Sequence, residues 1–323
     1  MTNDLTTRSP SRRLARGTAV LAGVALLAGV ALLTGLGVAT PAAAAPGTPP
    51  KSTVTAAADR RDTTTEHRNA CAVRTLVTQT FADPDGTSSR GLAARLVSPS
   101  AVAHGAGTTA GPEGLLAQFA ADRIRVPGAH AVIKRVAADG DLVAVHWQIT
   151  PDPRDERRGD AAVDLFRLEH GRIVERWSLE QPVPTGTPAS GNTNSMFSDL
   201  YRPARPTAAP SERQEERNRV LAVSAYDTLF RDHDPSILDR AFDPAYLQHN
   251  PVAPNGTAAL KQLFGSGAQF PAQQSVISLS DGDIVWTFSQ AVGAKPGDPL
   301  LAADLFRVDG GLIREHWDVV PTD

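Results

Sequence analysis

Two spacings of apolar residues alternate along the second half of the chain. Val220, Leu221, Val223, Ala225, Leu229 and Phe230 recur at helical spacing, and Ser211 precedes them at an N-cap position. Residues 235–242 read as a short second helix and 245–250 as a short extended segment. A third helix over 257–264 follows the turn signal Asn255-Gly256. From Ser275 the pattern changes to strands over 275–279, 284–291, 301–308 and 312–320. Asp281-Gly282 and Asp309-Gly310 supply the hairpin turns. Helices first and antiparallel strands last predict an α+β domain.

The chain carries this pattern twice. Residues 162–168 (AVDLFRL) recur as 302–308 (AADLFRV), and 171–178 (GRIVERWS) as 311–318 (GLIREHWD). Asp139-Gly140-Asp141-Leu142-Val143 matches Asp281-Gly282-Asp283-Ile284-Val285, and His104 and Gly111 are spaced like His249 and Gly256. The period is too long for a solenoid repeat, so a whole small domain is duplicated. Copy one is expected over 63–184 and copy two over 211–323, joined by a Pro-, Gly- and Ser-rich linker at 185–210. Met196, Phe197 and Tyr201 are the linker's candidate docking points.

Composition narrows the partners. The 323 residues carry a net charge of -3 and 41% hydrophobic residues, enough for a core in each copy. Without a basic cluster or stacking aromatics, nucleic acid is not an expected partner. Arg8, Arg12, Arg13 and Arg16 precede an apolar run over 17–39 and an Ala-x-Ala site at Ala42 to Ala44. This predicts an export segment over 1–45, twin-arginine-like or of the general secretory type, and a protein outside the cytoplasm. Once the segment is cleaved, no membrane contact is expected. Residues 46–62 are Pro-, Thr- and Ala-rich and read as a disordered linker. Cys71 excludes an internal disulfide because it is the only cysteine, and it reads as a buried, inert thiol.

In copy two, Tyr246-Leu247-Gln248-His249-Asn250-Pro251, Asp304-Leu305-Phe306-Arg307 and Glu315-His316-Trp317-Asp318 stand in an order that resembles the SnoaL-like polyketide cyclase family. That family lies within the nuclear transport factor 2-like superfamily. The resemblance covers nearly all of copy two and copy one more loosely. It implies two tandem cone-shaped domains, each with helices packed on a strongly curved, mostly antiparallel sheet. It also implies pairing through the sheets, either within the molecule as a pseudo-dimer or as a homodimer. Its enzymes use an Asp and a His for acid–base chemistry on carbonyl compounds, without metal or cofactor; other members only bind a ligand or partner.

The candidate residues follow. Asp304, Phe306 and Val308 share one strand face, so burial would raise the Asp304 pKa and make it a general base; an ion pair with a neighbour such as Arg307 is the alternative. His316 and Asp318 are two apart and share a face, as an Asp-oriented imidazole requires. His249 is the second candidate acid or orienter. Tyr246, Asn250, Trp286, Phe288, Phe306 and Trp317 are the candidate ligand contacts. In copy one His104, His146 and Asp164 are the counterparts. The family pattern implies a His on the central strand, which copy one keeps at His146 and copy two replaces with Phe288. Copy one has Arg176 and Ser178 where copy two has His316 and Asp318, so function is assigned to copy two. The expected ligand is a small apolar carbonyl compound. Metal-free aldol, cyclase or isomerase chemistry, simple binding and a purely structural pseudo-dimer all remain open. No metal-ligand spacing, phosphate loop or nucleophile elbow is present.

Overall fold

The computed structural model describes residues 63–105, 109–204, 209–266, 270–295 and 297–321. The export segment and the run at 46–62 lie outside the described residues. Copy one comprises α1 (Thr63–Ala82), α2 (Thr87–Leu96), β1 (Val97–His104), α3 (Gly111–Arg125), β2 (His130–Asp139), β3 (Leu142–Thr150), β4 (Asp160–Glu169) and β5 (Arg172–Pro182). Copy two repeats it with α4 (Glu212–Phe230), a 3-10 turn (Pro235–Ile237), α5 (Leu238–Ala241), β6 (Phe242–Gln248), α6 (Thr257–Gly265), β7 (Gln273–Asp281), β8 (Ile284–Ala291), β9 (Ala302–Asp309) and β10 (Leu312–Val319).

The two sheets have the same topology, β1-β5-β4-β3-β2 and β6-β10-β9-β8-β7. Four strands form an antiparallel meander, and the first strand of each copy joins the last in parallel. The protein is thus α+β with two tandem cone-like domains. Ser211 caps α4 through its backbone oxygen, which accepts from Gln214 N at 2.7 Å and Glu215 N at 2.9 Å; its side chain makes no capping bond.

Strand alternation sends side chains to two different cores. In copy one Val143, Val145, Trp147, Ile149, Ala162 and Phe166 face the helices. In copy two Val285, Phe306, Val308 and Ile313 meet Ala222, Ala225, Tyr226 and Tyr246. The opposite faces of the two sheets build a third core. Val163, Leu165 and Trp177 of copy one pack there with Trp286, Phe288, Leu305 and Trp317 of copy two, and Met196 and Phe197 from the linker join them.

Polar contacts across this junction come in matching pairs. Asp281 Oδ2 accepts from Ala138 N, and Asp139 Oδ2 accepts from Ser280 N, each at 3.0 Å. Within each copy a buried glutamate holds the hairpin turn: Glu66 Oε1 accepts from Gly140 N and Glu215 Oε1 from Gly282 N, both at 2.8 Å. Asp199 of the linker bridges Arg135 of copy one (2.9 Å) and Arg307 of copy two (2.7 Å).

Cys71 is exposed, which corrects its expected burial. The buried stripe of α1 falls on Val73, Leu76, Val77 and Phe81, so Cys71 points away, with its Sγ 3.6 Å from His67 Nε2.

Candidate functional site

Three polar side chains of copy two converge on its inner face. Asp304 on β9 lies directly opposite Asp318 on β10 and Thr287 on β8. An irregularity between Ile313 and Glu315 resets the alternation of β10. Ile313, His316 and Asp318 therefore face inward, while Glu315, Trp317 and Val319 face outward. Ligand atoms of Asp304, His316 and Asp318 all lie within 4.8 Å of one another.

His316 is the hub. Its Nε2 is 3.0 Å from Asp304 Oδ1, and its Nδ1 is 3.1 Å from Gln248 Nε2. The Phe306 ring stacks on its imidazole at 4.5 Å, and Tyr246 lies behind at 6.2 Å. Burial pulls the His316 pKa down to about 4, so the ring is neutral near pH 7. Burial alone pushes the Asp304 carboxyl well above its usual range. Burial also raises Asp318, to about 6, against the opposing pull of His316 and the Asn250 amide. Tyr226 is raised by burial and by the nearby Asp304 carboxyl. Asp304 Oδ2, Asp318 Oδ1, Tyr226 Oη and Thr287 Oγ1 are all buried without a hydrogen-bond partner.

The distances among Asp304, His316 and Asp318 would admit a cation, but the surrounding shell does not fit one. An imidazole that binds metal through Nε2 carries its proton on Nδ1 and needs an acceptor there. Gln248 Oε1 is fixed by accepting from His249 N (2.8 Å) and Asn250 N (2.9 Å), so its amide nitrogen, a donor, faces Nδ1.

Several expected residues lie elsewhere. Trp286, Phe288 and Trp317 belong to the core between the sheets rather than to the ligand side, because their strand positions point outward. His249 follows Gln248, which faces inward, and so takes the opposite direction. It stacks on Trp317 at 4.8 Å and meets Glu315 Oε1 at 2.8 Å. His104 repeats this arrangement with Trp177 (4.9 Å) and Glu175 (2.9 Å), so the contact is duplicated along with the domain. His146 also faces the other sheet, against Arg135 Nη1 at 3.1 Å and the Phe197 ring at 5.5 Å. The central-strand His is therefore no partner of Asp164. Asn250 is fully buried, its amide donating to Gln181 Oε1 at 3.2 Å and its Oδ1 accepting from Val252 N at 3.1 Å.

Copy one fills the matching interior. Asp164 accepts from Trp147 Nε1 at 2.8 Å and Arg176 Nε at 2.7 Å, which engages both of its oxygens. Copy two replaces Trp147 with Ser289, Val145 with Thr287 and Val77 with Tyr226. Those exchanges carried the signal for Tyr226 and Thr287, which the sequence reading passed over. Gln248 stood inside the motif that suggested the family and was passed over in favour of its neighbour His249.

Residues 89–176 match a family model described as a SnoaL-like domain. The match falls on copy one, and the two sheets fit two tandem domains of this kind. No curated protein sequence matches the chain. Among solved structures, a protein described as an isomerase of the SnoaL-like family from Agrobacterium tumefaciens is 17% identical. The alignment covers 35% of this chain and 97% of that one, with a TM-score of 0.30. A protein described as a SnoaL-like polyketide cyclase from Jannaschia sp. CCS1 is 21% identical over 38% of this chain and 90% of that one, with a TM-score of 0.31. An NTF2-like protein of unknown function from Mesorhizobium loti is 18% identical over 36% and 93%, with a TM-score of 0.28.

Proposed function

We propose that copy two binds a small, largely apolar carbonyl compound and moves a proton next to its carbonyl. The observation that carries this is the convergence of four buried, unpartnered polar atoms, Asp304 Oδ2, Asp318 Oδ1, Tyr226 Oη and Thr287 Oγ1. Buried polar groups ordinarily find partners, so a cluster without them marks a place built for another molecule. Phe306, Tyr246 and Tyr226 supply the apolar walls.

The expected role of Asp304 as base is revised in this proposal. Burial raises both carboxyls, and the neighbouring Asp304 raises Asp318 further, but His316 and the Asn250 amide pull Asp318 back to about 6, so Asp318 is taken as the base. The proposal places the proton that the pair shares on Asp304. Asp318 removes a proton from the carbon next to the ligand carbonyl. Asp304, Tyr226 and Thr287 donate hydrogen bonds to the oxygen on which negative charge develops.

The test is exchange of the α-hydrogens of simple cyclic ketones for solvent deuterium, followed by NMR. The wild type should catalyse exchange, with a rate that rises as pH passes about 6, where Asp318 ionises. Both carboxyls are harder to ionise in the fold than in the unfolded chain. Their contribution to stability is therefore full below the usual value of 3.8 and declines as pH rises through about 6. Binding of the ketones without exchange at any pH would favour the simple binding module.

Export is proposed with it, supported by the arginines at 8, 12, 13 and 16 and the apolar run over 17–39. Intact-mass analysis of protein recovered outside the cytoplasm should show loss of the leader near Ala44. A mature chain that still begins at Met1 would overturn cleavage.

A further inference from the structure

We propose that Gln248 is a positioning residue that holds His316 as its Nε2–H tautomer and so aims the Asp304 proton into the interior of copy two. Gln248 Oε1 accepts from two backbone amides, His249 N at 2.8 Å and Asn250 N at 2.9 Å. Turning the amide over would set its NH2 against both of them. The orientation is thereby fixed, and Gln248 Nε2 must donate, to His316 Nδ1 at 3.1 Å and to Tyr246 Oη at 3.3 Å. A nitrogen that accepts cannot carry a proton, so the single proton of the neutral ring sits on Nε2. It is then donated to Asp304 Oδ1 at 3.0 Å. Oδ1 is occupied as an acceptor, which leaves Oδ2, buried and unpartnered, as the oxygen that carries the carboxyl proton.

Among the groups packed against His316, Asp318 pulls toward a second proton, and burial outweighs it. Phe306 and Tyr246 offer only ring faces, and Asp318 lies on the same strand, two residues on. Tyr226 stands behind Phe306, with ring centroids 6.4 Å apart. The link from tautomer to chemistry rests on the function proposed above; the tautomer itself does not.

Histidine-selective 15N NMR of the full chain near pH 7 tests it, with His316 assigned by its absence from His316→Gln. Wild-type His316 should show an unprotonated Nδ1 and a protonated Nε2. Gln248→Glu keeps an oxygen for the two backbone amides and replaces the donor at Nδ1 with an acceptor. It should move the proton to Nδ1 and lower ketone exchange, and Gln248→Leu should leave the two tautomers mixed. A wild-type ring protonated on Nδ1, or a Gln248→Glu spectrum like that of the wild type, would overturn the proposal. The spectra need no turnover. A confirmed tautomer in a protein that exchanges no ketone would thus refute the proposed reaction and leave the lock standing.

Discussion

Arg176→Ala should cost about 3–5 kcal/mol of stability, because it strands a buried carboxylate. Asp164 is 0% exposed, and Arg176 reaches it with both Nε and Nη2. After the change, only the Trp147 indole would remain to satisfy it. Urea unfolding of the full chain measures the loss. Arg176→Met combined with Asp164→Leu should recover part of it, since a buried ion pair replaced by apolar side chains is often neutral, although the Trp147 indole N–H then loses its acceptor. His316→Ala, at the same place in copy two, should cost less. Asp304 already resists ionisation and can keep its proton, so no buried charge is left alone. A loss below about 1 kcal/mol for Arg176→Ala would show that Asp164 is not held as a carboxylate.

That contrast explains what could be read from the chain beforehand. The duplication, the order of elements and the shared face of His316 and Asp318 follow from local spacing, and the structure keeps them; that Asp304 lies opposite Asp318 comes from the pairing of β9 with β10. Alternation tells which residues share a face but not which layer that face meets. On β3 every position is buried, the polar His146, Gln148 and Thr150 included, so polarity does not mark a solvent face. Trp286, Phe288 and Trp317 were accordingly placed with the ligand and His146 beside Asp164, although all four side chains point toward the other sheet. His249 and Gln248 are adjacent in the chain and diverge in space; only the partners of each show which one serves the site. Cys71 was misplaced because α1 is rich in small residues, and its apolar stripe is narrower than its composition suggests. Tyr226 lies on a helix remote in sequence from Asp304, and only the folded chain joins them.

The role exchange between the two carboxyls yields the sharper chemical prediction. Asp318→Asn should lower α-proton exchange about 10²- to 10⁴-fold, the usual contribution of a positioned base. The fold should persist, because Asp318 Oδ1 has no partner to lose and ionisation there is already disfavoured. Asp304→Asn should cost only about tenfold, since the amide still offers a donor where Oδ2 stood and can accept from His316 at the other atom; a weakened hydrogen bond is worth about 1 kcal/mol. The pH profile separates the two further. The rise near 6 belongs to Asp318, so Asp304→Asn should retain it and Asp318→Asn should abolish it. Should Asp304→Asn prove the more damaging change and remove the rise, Asp304 is the base after all. The Asp304 proton would then not rest on Oδ2 in the working enzyme, and Tyr226 and Thr287 would be left as the donors facing the ligand oxygen.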